Sequence, residues 1–183
     1  GGQPDKAIIE DLIHFDDRFI RFSFEGVPDI RIIVYEGFPV MAMMRLSTAA
    51  SDGKANLHQG AVGVGIDIAT GRASHAVQFD RPVTHHPDTG TALEEIEIPD
   101  WHHLLYMAAR CFEMTGLGYL GVDIVLDARK GPMLLELNAR PGLAIQIANH
   151  QGLRRRLKTI SEMESLALIP DDRVAFVQSR FSS

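Results

Sequence analysis

Two strand-like segments decide the fold of this chain: Gly121-Val-Asp-Ile-Val-Leu-Asp127 and, after a four-residue connection, Pro132-Met-Leu-Leu-Glu-Leu-Asn-Ala-Arg-Pro-Gly142. The short connection predicts an antiparallel β-hairpin. Pairing the last residue of the first segment with the first residue of the second and counting backwards places Asp123 opposite Glu136. Two carboxylates directly across a ladder repel each other unless a cation or a strong donor lies between them.

A third oxygen-bearing side chain belongs to the same face, because Asn138 lies two positions beyond Glu136. Carboxylate and amide oxygens without a nearby Cys or His suit a hard ion such as Mg²⁺. The stretch Leu134–Asn138 otherwise predicts a buried apolar strand, in which polar residues need a purpose. We therefore expect a metal site at Asp123, Glu136 and Asn138. The alternative is that Asp123 ends a strand in solvent and Glu136 merely faces water.

These segments resemble the metal-binding end of the ATP-grasp ligases, and most closely the branch related to the ribosomal protein S6 glutamate ligase. Other segments resemble that group in the same order: Ile8-Ile-Glu-Asp-Leu-Ile13 as the hinge strand, Asp29-Ile-Arg-Ile-Ile-Val-Tyr-Glu-Gly37 and Lys54-Ala-Asn-Leu-His-Gln-Gly60. The resemblance implies an α+β fold, the C-terminal subdomain of an ATP-grasp domain, with helices on an antiparallel sheet. The resemblance runs from about residue 7 to about residue 150. We therefore assign residues 1–150 to the C-terminal part of an ATP-grasp domain and residues 151–183 to a C-terminal tail.

The resemblance also implies an ATP site with Mg²⁺ or Mn²⁺ as the metal. Its cofactor-binding residues would be Asp11, Leu12, Asp29, Lys54, Ala55 and Asn56. Isoleucines and Leu12 near the start can form an apolar slot for adenine, while Asp11 accepts from the ribose or base. A core strand with one exposed acid is the alternative there. For the loop around Lys54 and Asn56, an ordinary polar loop is equally compatible with the residue types.

Two arginines are the candidate catalytic residues, Arg31 and Arg140. Alternation along the strand puts Asp29 and Arg31 on one face, where Asp29 can orient Arg31 for bidentate contact with phosphate. Arg45 ends the next strand and could join Arg31. A surface ion pair is the competing interpretation of Arg31. Arg140 stands where the resembling ligases usually carry a small residue, so an added anion contact and a salt bridge to Glu136 both stay open.

Local patterns predict strands near residues 6–13, 18–24, 28–35, 38–46, 61–67 and 73–79, which precede a helix. Asp100 is expected to cap that helix, Trp101 to Met114, and Gly116 to end it. A second helix is expected from Ala144 to about Asn149. Beyond it we expect an arginine-rich helical piece and a short final strand within 166–183.

The net charge of -6, with no basic stripe, argues against nucleic acid as a partner. No apolar run approaches the roughly 20 residues that cross a bilayer, so no membrane partner is expected. The one cysteine, Cys111, cannot form an internal disulfide, which favours the cytoplasm.

The resemblance implies an ATP-dependent carboxylate–amine ligase that forms an amide or peptide bond through an acylphosphate and releases ADP and phosphate. Its partners would be a carboxylate and an amine, by analogy glutamate and a peptide or amino acid. Such ligases carry a preceding subdomain with a glycine-rich phosphate loop, so we expect this chain to be the C-terminal part of a longer enzyme. The alternatives are a Mg-nucleotide-binding or regulatory module without turnover and, last, a two-metal phosphohydrolase.

Overall fold

A computed structural model describes residues 11–163 and 168–181. Its centre is a seven-stranded antiparallel sheet in the order β5-β4-β3-β2-β1-β6-β7. The strands are β1 (Asp29–Tyr35), β2 (Phe38–Leu46), β3 (Val62–Ile66), β4 (Ala73–Gln78), β5 (Arg81–Pro82), β6 (Tyr119–Asp127) and β7 (Gly131–Asn138). The helices are α1 (Trp101–Thr115), α2 (Ala144–Ala148), α3 (Arg154–Ser161) and α4 (Pro170–Arg180). The α+β architecture is therefore confirmed.

The four predicted strands between residues 28 and 79 are present as β1 to β4. In β1 the residues Ile30, Ile32 and Val34 are buried, as alternation predicts. The strand predicted at 18–24 is wrong, because Asp17–Phe22 forms a 3₁₀ helix. Asp16 accepts a hydrogen bond from the backbone N–H of Arg18 and so starts a helical turn. Most of the predicted strand at 6–13 lies outside the described residues, and residues 11–14 have no regular structure.

Helix α1 is present, and it packs against α4 and against the sheet. Gly116 ends it at φ +68°, as expected. Asp100 occupies the predicted N-cap position, but it has φ +48° and its side chain makes no capping hydrogen bond. The start of α1 is held instead by Trp101, whose indole N–H donates to the carbonyl of Ile68 at 2.9 Å.

Pro170–Arg180 forms helix α4, so the strand predicted within 166–183 is wrong for the described part. Pro170 begins α4 and two aspartates follow it, which are ordinary signals of a helix start. Residues from α3 and α4, including Ile160, Val174 and Val177, belong to the same hydrophobic core as the sheet. The boundary at residue 150 stays a prediction. No helix among the described residues is long and apolar enough to cross a bilayer.

The β6–β7 hairpin pairs Asp123 with Glu136, as predicted, but through a different register. Its first pair is Asp127 with Gly131, one residue earlier than expected, and a β-bulge next to Asp123 restores the count. β7 is also the edge of the sheet, and Leu134 and Leu135 are 40% and 53% exposed. The prediction that this segment is a buried strand is therefore wrong.

Candidate functional site

Four charged side chains form one buried network on the face that carries Asp123. β1 sets Arg31 opposite Asp123 on β6, and Asp29 opposite Arg45 on β2. Arg31 donates twice to Asp123, at 2.8 and 2.6 Å. Arg45 donates twice to Asp29, at 2.6 and 2.7 Å, and once to Asp123 at 2.8 Å. Asp123 thus joins the two arginines.

The network is electrically balanced and almost dry, because two guanidinium groups face two carboxylates and none of the side chains exceeds 14% exposure. The prediction that Asp29 orients Arg31 is wrong, since Asp29 binds Arg45 and Arg31 binds Asp123. Arg31 does form an ion pair, but the pair is buried, so the alternative of a surface ion pair is wrong in its location. Removal of one member of such a pair leaves a buried charge without compensation.

The pKa directions in the network follow from its burial. Burial opposes the charge on Arg45, but the hydrogen bonds and charges of Asp29 and Asp123 outweigh it and raise the pKa of the guanidinium. For Asp29, burial is the largest effect, and it raises the pKa of the carboxyl despite the contact with Arg45. Arg45 therefore keeps its positive charge firmly.

The three predicted metal ligands lie close together, but their contacts differ. Asp123 accepts three hydrogen bonds from arginines and keeps about one of its roughly four acceptor positions. Glu136 is exposed and makes no ion pair within the described residues. Asn138 is half-buried, and its side-chain oxygen accepts from the backbone N–H of Arg140 at 2.9 Å. Glu136 and Asn138 thus have oxygen lone pairs available to a hard cation, whereas most of those of Asp123 accept hydrogen bonds from the arginines.

Among the residues that the structure describes, no three His, Cys, Asp or Glu side chains are grouped so that they could hold a metal ion. The predicted trio combines two carboxylates with an amide, so the absence of such a group does not bear on it. Carboxylate and amide oxygens suit Mg²⁺, which keeps several waters when protein ligands are few. The donor set at Glu136 and Asn138 therefore fits this ion chemically.

A cavity of about 240 Å³ opens beside the arginines. It brings together four residues that the sequence analysis named, Arg31, Arg45, Ala55 and Asn56. Five lining residues were not assigned from the sequence: Met43, Leu57, His58, Gly142 and Ala144. Alternation along β2 places Met43 on the same face as Arg45, so the sequence could have indicated it as a lining residue. His58 belongs to the segment Lys54–Gly60, which resembles the family. Gly142 and Ala144 come from the chain after β7, which only the folded structure brings here.

The glycines of β3 allow α2 to approach the sheet closely. A Cβ on Gly63 would lie 2.6 Å from the side chain of Leu57, and a Cβ on Gly65 would lie 2.6 Å from the carbonyl of Ala148. These residues pair with Arg45 and Met43 and so belong to the face of the buried network. The Gly-Val-Gly run therefore has a packing role, because it seats α2 and the loop of Asn56 beside the cavity.

The remaining predicted site residues lie outside this cavity. Asp11 is exposed and accepts from the Lys130 ammonium at 2.8 Å, which lowers the pKa of its carboxyl. Leu12 is 73% exposed. Lys54 is exposed and lies 3.4 Å from Asp52. Arg140 is exposed, and it makes no salt bridge to Glu136 within the described part of the chain. The binding roles assigned to these residues stay predictions.

A family comparison agrees with the motifs. The family model described as sugar-transfer associated ATP-grasp matches residues 1–162. The chain belongs to this ATP-grasp family. The resemblance to ATP-grasp proteins is therefore confirmed, whereas the narrower branch related to the ribosomal protein S6 glutamate ligase is not supported by the match. No curated protein matches the chain significantly.

Solved structures similar to this ATP-grasp chain include two of the ATP-grasp ligase PsnB. One is its complex with a phosphomimetic variant of a minimal precursor, Mg and ADP, with 16% identity and a TM-score of 0.40. The other is its complex with minimal precursor, with 18% identity and a TM-score of 0.36. Both matches cover 86% of this chain, but only 34% and 36% of the PsnB chains. The chain thus spans about a third of the length of these structures.

Proposed function

We propose that this chain forms one wall of the active site of an ATP-dependent carboxylate–amine ligase. The reaction would join a carboxylate to an amine through an acylphosphate and release ADP and phosphate. The observation that carries the proposal is the pair Arg31 and Arg45, which two buried carboxylates hold at the edge of a cavity. Membership of the ATP-grasp family supports ATP as the co-substrate.

The arginines suit phosphoryl transfer because they are already oriented. Arg31 uses two of its five N–H donors on Asp123, so the others are available to oxygens of a phosphoryl group. Donors held in place before the reaction stabilise developing negative charge without reorganisation. Asn56 and His58 border the same cavity and can bind further polar groups of the nucleotide.

Glu136 and Asn138 are the residues that would hold Mg²⁺, with the remaining acceptor position of Asp123 beside them. When bound, the ion would neutralise charge on the phosphates of ATP. Arg31 and Arg45 also keep Asp123 from repelling Glu136 across the ladder, since they neutralise it from the other side. The substrates that the resemblance suggests are glutamate and a peptide or amino acid, and a cytoplasmic location belongs to the same proposal.

Calorimetric titration with a non-hydrolysable ATP analogue, with and without Mg²⁺, tests the nucleotide site. We expect Mg²⁺-dependent binding that Glu136→Gln weakens by about tenfold or more, as the loss of a metal ligand should. Glu94→Gln is the matched control, because Glu94 is also exposed and makes no ion pair within the described residues. Equal losses in both variants, or binding indifferent to Mg²⁺, would refute the metal assignment.

The competing function is a nucleotide-binding module without turnover. It predicts the same calorimetric result, so turnover must be measured on the longest form of the protein that carries this chain. ADP release that requires both a carboxylate and an amine supports the ligase. Analogue binding without any such release supports the module, and phosphate release independent of an amine supports a phosphohydrolase.

A further inference from the structure

A second cavity, of about 370 Å³, lies between α3 and the end of α4. We call it the basic cavity, because three arginines line it, Arg155, Arg156 and Arg180. Its other lining residues are Gln151, Gly152, Thr159 and Phe181. No acidic side chain is among the described residues that form its wall. Three positive charges therefore share one concave surface.

Arg156 is the buried member of this group, with 5% of its surface exposed. Its guanidinium donates to the carbonyl of Val40 at 2.7 Å, to the side-chain oxygen of Gln151 at 2.7 Å and to the carbonyl of Phe181 at 3.1 Å. These acceptors are all neutral. Arg173, which is also buried, instead forms an ion pair with Glu113. Arg156 is thus hydrogen-bonded, but it forms no salt bridge within the described residues.

The charge of Arg156 is consequently poorly compensated. Burial lowers the pKa of its guanidinium, and the charge of Asp67, which acts in the opposite direction, does not outweigh burial. A guanidinium nevertheless stays protonated in proteins. The cavity wall therefore carries a fixed positive charge in a site with restricted access to water, where an anion is attracted more strongly than in bulk solvent.

Two further features increase the positive potential. Arg155 and Arg180 are exposed and have no ion-pair partner in the described ranges. α3 begins with three consecutive arginines, has no acidic residue in its first turn and has no side-chain cap on Leu153. A helix N-terminus carries partial positive charge and favours anions, so arginines in this position are unfavourable unless an anion is near.

We propose that the basic cavity binds a phosphate group. A phosphate monoester carries about two negative charges and three acceptor oxygens at neutral pH, whereas a carboxylate carries one charge, so phosphate neutralises three arginines better. Guanidinium forks bind phosphate oxygens in pairs. On β2, Val40 is three residues from Met43 and five from Arg45, which is about 10 and 16 Å along the strand. The basic cavity shares no lining residue with the cavity beside Arg31 and Arg45. It is therefore a separate site.

Titration of the protein with inorganic phosphate, at ionic strength held constant with sodium chloride, tests the proposal. We expect saturable binding, which Arg155→Gln combined with Arg180→Gln weakens by about tenfold or more. Arg110→Gln combined with Arg129→Gln changes the net charge equally at exposed positions outside the cavity and should leave phosphate affinity unchanged. A parallel titration with glycerol phosphate distinguishes the sources, since tighter binding of the ester identifies a phosphorylated molecule as the ligand and equal binding identifies free phosphate.

The same titration on Glu136→Gln separates this site from the nucleotide site. We expect phosphate affinity to persist in Glu136→Gln while Mg²⁺-dependent analogue binding falls, and the reverse in the Arg155/Arg180 variant. Absence of phosphate binding by the unaltered protein would overturn the proposal. Equal affinity in the Arg155/Arg180 variant, or loss of phosphate binding in Glu136→Gln, would overturn it too.

Discussion

Two regions of one sheet face differ in how their carboxylates are buried and paired. On β1, β2 and β6, Asp29 and Asp123 are buried against guanidinium groups, whereas on β7 Glu136 is exposed and makes no ion pair among the described residues. Asp123 and Glu136 face each other across the ladder, so their spacing is not what separates them. The strand on the far side of Asp123 makes the difference, because it supplies Arg31. Opposed acids therefore indicate a metal site only after the next strand has been considered.

In the buried network, substitution of the carboxylate that binds both arginines should destabilise the protein most. Asp123→Asn removes the charge that compensates both arginines, so we expect a loss of about 3–5 kcal/mol in the free energy of unfolding. Urea unfolding monitored by circular dichroism measures it. Asp52→Asn is the control, because Asp52 is exposed and its contact with Lys54 is weak, at 3.4 Å. Similar losses in the two variants would contradict the role assigned to burial.

A second difference is that α2 covers part of the sheet, where it packs on β2, β3 and β4, whereas Leu134 and Leu135 of β7 are exposed. Gly65→Ala places a methyl group 2.6 Å from the carbonyl of Ala148, and overpacking of this kind costs about 1–3 kcal/mol. Urea unfolding again provides the measurement. Gly142→Ala, which meets nothing within 4 Å, should change stability by less than about 0.5 kcal/mol. If Gly65→Ala were equally neutral, α2 would not be seated on the β3 glycines.

The third prediction concerns Asp127, a buried acid at the end of β6. Asp127 accepts backbone N–H groups of Arg129, Lys130 and His14 at 2.8 to 2.9 Å, and these bonds lower the pKa of its carboxyl. Because the folded pKa is the lower one, this stabilisation is present above about pH 4 and is lost as pH falls through the folded pKa.

We therefore expect Asp127→Asn to lower the melting temperature at pH 7 by a few degrees. The gap to the unaltered protein should close in strong acid. Thermal unfolding monitored across the pH range measures both. A gap that stays constant with pH would mean that Asp127 acts through shape rather than charge.

The exposed carboxylate on β7 should be insensitive to substitution in its effect on stability. Glu136→Gln should alter the free energy of unfolding by less than about 0.5 kcal/mol, because the side chain is exposed and makes no ion pair among the described residues. Paired with the predicted loss of Mg²⁺-dependent analogue binding, this result would separate function from stability. A large destabilisation would show that the edge strand depends on Glu136.

Part of the candidate site could be predicted from sequence because its rules are local. Alternation along β1 puts Asp29 and Arg31 on one face whatever lies beside them. The pairing of Asp123 with Glu136 is predicted from a hairpin register that is wrong by one residue at the turn. The β-bulge next to Asp123 shifts the register by one residue in the opposite direction, so the predicted pair is still formed. A bulge adds one residue without a strong composition signal, so counting along a hairpin does not detect it.

The errors at the end of the chain have a different origin. Pro170 followed by two aspartates is a clear helix start, so the local signal favours the observed helix over the predicted strand. The exposure of Leu134 and Leu135 cannot be predicted locally, because an apolar sequence does not reveal that its strand is the edge of the sheet. Strand order depends on long-range pairing.

The amino-acid sequence by itself determined the family motifs, the alternation of the strands, the main helix and the residue types of the candidate site. The tertiary structure decided which charges neutralise each other, because β1 lies between β2 and β6 and so brings Arg31 and Arg45 to Asp123. It also decided where the basic cavity lies, since α3 and α4 meet only after folding. Local structure depends on neighbouring residues, whereas ion pairing depends on which distant strands and helices pack together.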